Sequence, residues 1–356
     1  MDVPLFDLQR VLSRHNGELT SAFKECLSHG RFILGPEVAL FESIFSSKIG
    51  TKYCTGVSSG TDALLAIFTA LDLEPGSEII VPSFTFVASA SSILRAGLTP
   101  IFADLEEESF CLSLDSIKNA WTEKTKGVLF VHLFGKHTDL SEINQFCVDN
   151  GAALIEDCAQ SYGSASGAQG LAGAFSFFPA KNLGCLGDGG AVVTNDENLH
   201  KRIKKIRTHG SGKKYFYDHI GGNFRLDTIQ AAFLNILIPH SNEWIRKRRE
   251  NAAFYNDNLS GLASLTLPAS DENHAWNQYT LRTERRDDLG EYLNSKKIGN
   301  AIYYPQPLHK SIIFDSDQIL IETEKRCKEV ISIPVYPGLS EGEREYVAIT
   351  IKEFFK

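Results

Sequence analysis

Between Tyr53 and Ile155, five short apolar runs alternate with helix-patterned stretches. Tyr53–Val57, Glu78–Val81, Thr99–Ala103, Gly127–Leu133 and Ala152–Ile155 read as strands. Thr61–Leu71, Phe86–Ala96, Leu114–Ala120 and Leu140–Asn150 read as the helices between them. Continuously apolar strands separated by helices are the pattern of a mainly parallel sheet covered on both faces. An α/β fold of this kind places its ligands beyond the carboxyl ends of the strands. Function is therefore to be sought just after each strand.

Two further strands flank the most unusual stretch, Gly173 to Thr194 (GAFSFFPAKNLGCLGDGGAVVT). It sets Lys181 on a turn with Gly184, Gly187, Gly189 and Gly190, between two apolar runs. Taken alone, such a lysine is as easily a surface cation as a positioned amine. Upstream, residues 1–35 form an arm with one helix, about Asn16 to Leu27, and Pro36 opens another. Downstream come a basic amphipathic helix over 197–208 and a Gly-, Lys- and Tyr-rich loop over Gly210–Gly222. A long helical region, about Leu226 to Asn258, is broken or kinked at Pro239. The remainder reads as a smaller α/β unit, with strands at Gln278–Arg282 and Ala301–Tyr304 and a helix at Leu289–Lys296. A Ser340-to-Glu343 capping box opens the last helix. At 356 residues the chain exceeds the ~250–300 of a single core. A large domain over 1–240 and a small one over 241–356 are expected.

A net charge of −8 and a pI near 5.7 carry no nucleic-acid footprint, which would be basic. The seven cysteines are scattered, with no CxxC pair and no Cys/His cluster at zinc spacing, so reduced thiols and no metal are expected. MDVPLFDLQR carries no signal-like pattern, and no apolar run reaches a membrane span of ~20 residues. A cytoplasmic protein without a membrane partner is the expectation.

Four strand ends carry candidate chemistry. Ser58-Ser59-Gly60-Thr61-Asp62 turns from strand to helix, which is an anion site or an ordinary N-cap. Asp157, in Glu156-Asp157-Cys158-Ala159-Gln160, follows an apolar strand, where a carboxylate must be paired or functional. Phe84 and Phe86 are core, or one of them stacks on a flat ligand. Ser176 and Lys181 complete the set. Pyridoxal phosphate needs these parts: a lysine for its Schiff base, an acid for the pyridine nitrogen, and a phosphate cup. Asp157 precedes Lys181 by 24 residues, so successive strands of one sheet could bring both to one cofactor.

These residues resemble the DegT-type sugar aminotransferases, of the type I, aspartate-aminotransferase-like fold of pyridoxal-phosphate enzymes. The resemblance runs through RFILGPE (31–37), SGTDAL (59–64), PSFTFVA (82–88), EDCAQSYG (156–163), SFFPAKNLGCLGDGGA (176–191), GGNFRLDTIQAA (221–232) and YYPQPLHK (303–310). It implies a large, mainly parallel seven-stranded sheet domain and a smaller C-terminal α/β domain. It implies that Lys181 bears the pyridoxal 5'-phosphate and that Asp157 pairs with its ring nitrogen. Gln160 would contact the ring's hydroxyl side and Phe86 would stack on the ring. Gly60, Thr61 and Ser176 would hold the phosphate. Asn223 would reach the phosphate in the neighbouring subunit, which implies a homodimer with shared active sites. Arg225, Tyr304 and His309 are the implied sugar or nucleotide contacts, with a solvated loop histidine the plainer reading of His309.

Within such a family, glutamate gives its amino group to a nucleotide-linked keto sugar for surface polysaccharide. SFFPAKNLGCLGDGGA with SGTDAL looks closest to enzymes aminating a UDP-linked 3-keto sugar of the N-acetylglucosaminuronate type. Relatives acting on dTDP-linked 6-deoxy sugars tend to have SFYP at 176–179. The chain departs from many members at Tyr303, where they have histidine beside the substrate, which leaves the sugar open. A 4-keto sugar, a free keto-sugar acid or a keto-cyclitol remain alternatives. A non-catalytic dimeric scaffold would be marked by loss of Lys181 or Asp157, and both are present.

Overall fold

The computed structural model describes residues 1–106, 109–213, 215–269 and 271–356. Seven strands form one sheet: β1 (Tyr53–Val57), β2 (Glu78–Pro82), β3 (Thr99–Ala103), β4 (Thr125–Val131), β5 (Ala153–Asp157), β6 (Ala172–Ser176) and β7 (Gly190–Thr194). Their order is β1-β7-β6-β5-β4-β2-β3. The pairs from β6 through β5, β4 and β2 to β3 are parallel. Strand β7 runs antiparallel to both β6 and β1. The mainly parallel sheet is as expected, with its antiparallel part at the end that carries the lysine turn.

Alternation along each strand sorts side chains to two faces. Ile79, Val81, Leu129 and Ile155 pack on one side against Leu64, Ile67 and Ile93 of the helices Gly60–Leu71 and Val87–Arg95. Ile80, Val128, Phe130 and Leu154 face the other side, with Ile143 and Cys147 of the helix Ser141–Asp149. Near β7, Phe41 and Phe45 meet Phe175 and Phe177 edge to face. Both faces are buried, so polar groups at the strand ends sit at the rim of a dry core.

Several expected boundaries move. Strand β4 ends at Val131, and Leu133–Gly135 form a tight turn with Phe134 at φ 60. The helical region from Leu226 becomes Thr228–Leu237 and Ser241–Leu259, separated by the turn Ile238–His240 that holds Pro239. The loop over 210–222 contains a short hairpin, β8 (Ser211–Lys213) with β9 (Phe216–Tyr217). In the C-terminal part, β10 (Tyr279–Arg282) pairs antiparallel with β11 (Val330–Ile333). The expected strand at Ala301–Tyr304 is not formed: only Ala301 bridges to Ser332. Tyr303 and Tyr304 line a cavity instead. Tyr255, Tyr279, Leu289, Ile331 and Val347 belong to a separate buried cluster around this second sheet. No helix among the described residues is long and apolar enough to cross a membrane. All seven cysteines are buried and unpaired.

Candidate active site

The carboxyl ends of β1, β2, β4, β5 and β6 surround a cavity of about 470 Å³. Gly60, Thr61, Phe86, Asp157, Gln160, Ser176, Lys181 and Tyr304 all line it. Eight of the eleven residues singled out from the sequence thus meet in one place.

Asp157 ends β5 and is buried. Its Oδ2 accepts a 2.8 Å hydrogen bond from the Ser89 hydroxyl, and its Oδ1 one of 3.1 Å from the Ala159 N–H. Burial pushes its carboxyl above the usual range, while these two donors and nearby Lys181 pull it back down. Lys181 sits on the turn after β6, its N–H bonded to the Phe178 carbonyl at 2.8 Å. Burial lowers its amine to about 8, and Asp157 works against that shift. A far larger fraction of this amine is therefore neutral near physiological pH than of an ordinary lysine, and the neutral form is the nucleophile.

Ser59 caps the helix Gly60–Leu71 through the Asp62 N–H at 3.0 Å, so this helix start opens into the cavity. A Cβ on Gly60 would lie 2.7 Å from the Ser176 Cβ, so only glycine lets the two turns approach this closely. Phe86 leaves 56% of its surface open at the cavity, whereas Phe84, two residues before it, is buried. Gln160 is fixed at both ends of its amide: Oε1 accepts from the Phe134 N–H at 2.7 Å, and Nε2 points to the Tyr304 hydroxyl at 3.4 Å. Burial, first, and the Asp157 charge raise the Tyr304 phenol, so it stays protonated.

The other three candidates lie elsewhere. Asn223 is exposed, its backbone bridged to Thr208. Arg225 is bridged to Val57 through its backbone, and its Nε is buried without a partner. His309 is fully buried, not a solvated loop residue, and lies outside the cavity lining. Its Nδ1 meets the Ser83 hydroxyl at 2.7 Å and its Nε2 faces Glu324 at 3.3 Å.

Sequence reasoning missed Asp188, Asn277 and Gln278 in the cavity wall, while Tyr303, singled out where relatives have histidine, also lines it. Asp188 sits in the glycine run after Lys181, which was the available signal. Asn277 and Gln278 come from the segment before β10, and only tertiary packing brings them here. Also missed was His132, which meets Glu156 at 2.9 Å directly behind Asp157, with Cys158 close by. Glu156 already accepts from the N–H groups of Gly167, Gln169 and Gly170 at 2.7 to 2.8 Å. That carboxylate is saturated, so the cluster is a clamp on the 167–170 loop and not an open cation site.

Residues 14–352 match the DegT/DnrJ/EryC1/StrS aminotransferase family. The chain belongs to that family. It is 37% identical to a "Pleiotropic regulatory protein" of Geobacillus stearothermophilus, over 100% of this chain and 99% of the relative. It is 35% identical to a UDP-N-acetyl-3-dehydro-alpha-D-glucosamine 3-aminotransferase of Acidithiobacillus ferrooxidans, covering 98% and 97% of the two chains. Other relatives of similar identity bear the names of dTDP-sugar transaminases. Among solved structures, S. venezuelae DesV in complex with a ketimine intermediate superposes with a TM-score of 0.96 at 35% identity, covering 100% of this chain and 99% of that one. This DegT-family protein is a pyridoxal-phosphate-dependent sugar aminotransferase. The residues present fit the cofactor: a glycine-tight helix start beside Ser176, a buried and bonded carboxylate, an open phenylalanine face and a partly neutral lysine share one cavity.

Proposed function

We propose that this DegT-family enzyme moves the amino group of glutamate to C3 of a nucleotide-linked keto sugar, a UDP-linked sugar of the N-acetylglucosaminuronate type, for surface polysaccharide. The observation that carries the chemistry is the meeting of Lys181 and Asp157 in one cavity. The 35% identical relative named for a UDP-linked 3-keto sugar supports the acceptor, as does the SFFP run at 176–179. Relatives named for dTDP sugars keep a dTDP-linked 3- or 4-keto-6-deoxy sugar as the second reading.

The cavity geometry supports the following roles. The Gly60 and Thr61 N–H groups with the Ser176 hydroxyl hold the cofactor phosphate at the helix start. Asp157 keeps the pyridine nitrogen protonated, held in place by Ser89 and Ala159. Phe86 covers one ring face, and Gln160 faces the ring's hydroxyl edge. Bound there, pyridoxal phosphate supplies an aldehyde carbon and an electron-withdrawing ring. Lys181 would hold the cofactor and, with its amine beside the substrate carbon, would move a proton there, a task suited to an amine whose pKa is lowered to about 8. Tyr304 donates its hydroxyl toward the bound substrate.

The working unit is a cytoplasmic homodimer, in which exposed Asn223 reaches the partner's phosphate site and Arg225 lies near the sugar. Residues 1–240 form the large domain and 241–356 the small one. A panel of UDP- and dTDP-linked 3-keto and 4-keto sugars, with glutamate as donor and mass spectrometry as readout, tests the acceptor. Amination of the UDP-linked 3-keto uronate is expected. Turnover of only 4-keto or free sugars would overturn this reading.

A further inference from the structure

Among the described residues, the only charged side chains lining the catalytic cavity are Lys181, Asp157 and Asp188. Lysine 181 is committed to the cofactor and the other two are anionic. Both substrates of the proposed reaction are anions: a dicarboxylic donor and a sugar diphosphate. Each must leave its distal charge somewhere cationic, because an unpaired charge in a dry site is costly.

A second cleft, about 260 Å³, adjoins the cavity. Leu133 and Gln278 line both, so the two spaces meet at these side chains. Among the described residues, the cleft is lined by Lys136 and Arg282 and by one acid, Asp271. It also carries His274, which is only 5% exposed. The His274 Nδ1 accepts the Trp276 N–H at 2.8 Å, which places the ring proton on Nε2. Burial, with Lys136 and Arg249 nearby, lowers this imidazole to about 3 and keeps it neutral. Its Nε2–H has no partner among the described residues. A donor that opens to the cleft from a buried ring, beside a lysine, is matched to an anionic oxygen.

We infer that this cleft is an anion subsite, which receives the distal carboxylate or phosphate of the substrate held at Lys181. Lys136 supplies the charge and the His274 Nε2–H a directed hydrogen bond. Phe110 and Phe134 form an apolar wall that excludes water and strengthens those contacts. The inference rests on the aminotransferase reading of the neighbouring cavity.

The test uses the cofactor-loaded protein with Lys136→Gln and the charge-preserving Lys136→Arg. Calorimetry measures binding of 2-oxoglutarate and of UDP separately, and kinetics give KM and kcat for glutamate and for the sugar nucleotide. Lys136→Gln is expected to weaken one of the two ligands about tenfold or more, the loss of a charged hydrogen bond. The KM of the matching substrate should rise in parallel, kcat should hold within about twofold, and Lys136→Arg should restore binding. Weakened 2-oxoglutarate identifies the donor carboxylate, and weakened UDP the diphosphate. Unchanged binding of both ligands in Lys136→Gln would overturn the subsite. If the wild type accepted no sugar nucleotide, the acceptor assignment would fall, yet the 2-oxoglutarate arm would still test the cleft.

Discussion

Ser89 donates a 2.8 Å hydrogen bond to Asp157 Oδ2, from the helix that follows β2 to the end of β5. The bond helps a buried carboxylate stay ionised. Burial raises its pKa, and Ser89 is one of two direct donors that lower it. Removing the hydroxyl in Ser89→Ala removes one of the donors that hold the carboxyl down, so it rises further. The acid limb of kcat/KM should move to higher pH. In the apoprotein a raised folded pKa means that stability falls as pH climbs from the unfolded value through the folded one. Ser89→Ala should deepen that fall, measured as urea midpoints across the acid range. An unmoved acid limb would show that Asp157 is not the group titrating there.

Lys181 has the opposite sign. Its folded pKa, about 8, lies below the ordinary 10.5. Between those values the unfolded chain binds more protons, so apoprotein stability rises as pH increases from about 8 to about 10.5. Lys181→Met removes the titration and should flatten that part of the curve. Lys181→Ala should also cut conversion of glutamate to 2-oxoglutarate by about a thousandfold or more, the scale of a lost nucleophile and proton carrier. Wild-type turnover in that variant would refute the assignment.

Gly60→Ala places a methyl group 2.7 Å from the Ser176 Cβ. Neither neighbour is a flexible side-chain end, so the helix start must shift. Overpacking of this kind costs about 1–3 kcal/mol. The loss should appear mainly in cofactor affinity, because the helix start and Ser176 both line the cavity. We expect the pyridoxal phosphate dissociation constant to rise at least about tenfold. Fluorescence titration of apoprotein measures this directly. The double variant Gly60→Ala/Ser176→Gly should recover part of the loss by relieving the contact, less the Ser176 hydroxyl.

How far the sequence reached follows from the range of each signal. The strand-end residues were legible because a parallel sheet gathers the carboxyl ends of its strands, so Gly60, Asp157 and Lys181 had one place to meet. Pro239 announced the break between two helices for a local reason, its missing N–H. Strand β11 was not legible: Val330–Ile333 is a four-residue apolar run directly after the helix Ile321–Glu329, and nothing local marks its change of period. Ala301–Tyr304 failed for the converse reason. Its apolar and aromatic residues suit a strand, yet Tyr303 and Tyr304 serve a cavity wall. The partners of Glu156 lie 11 to 24 residues away, on both sides in sequence, and no spacing rule links them.

His309 shows how a residue expected at the substrate can act from behind it. Its own N–H donates to Ser83 Oγ at 3.0 Å, so the Ser83 hydroxyl hydrogen goes to Nδ1 and the ring proton sits on Nε2, facing Glu324. The Leu308 N–H adds a 2.9 Å bond to the Ser83 carbonyl. These bonds tie the segment after Tyr304 to the end of β2. His309→Phe would leave the buried Ser83 hydroxyl short of a partner, at a cost of about 1–3 kcal/mol. Urea unfolding should show that loss, with little change in the KM for glutamate. Burial lowers the imidazole and Glu324 raises it, with burial the larger effect. Protonation of Nδ1 breaks the acceptor role toward Ser83, so the wild type should lose this contribution as pH falls through the lowered folded value, and His309→Phe should not. A variant with unchanged stability but a selectively raised KM for the sugar would return His309 to the substrate contacts.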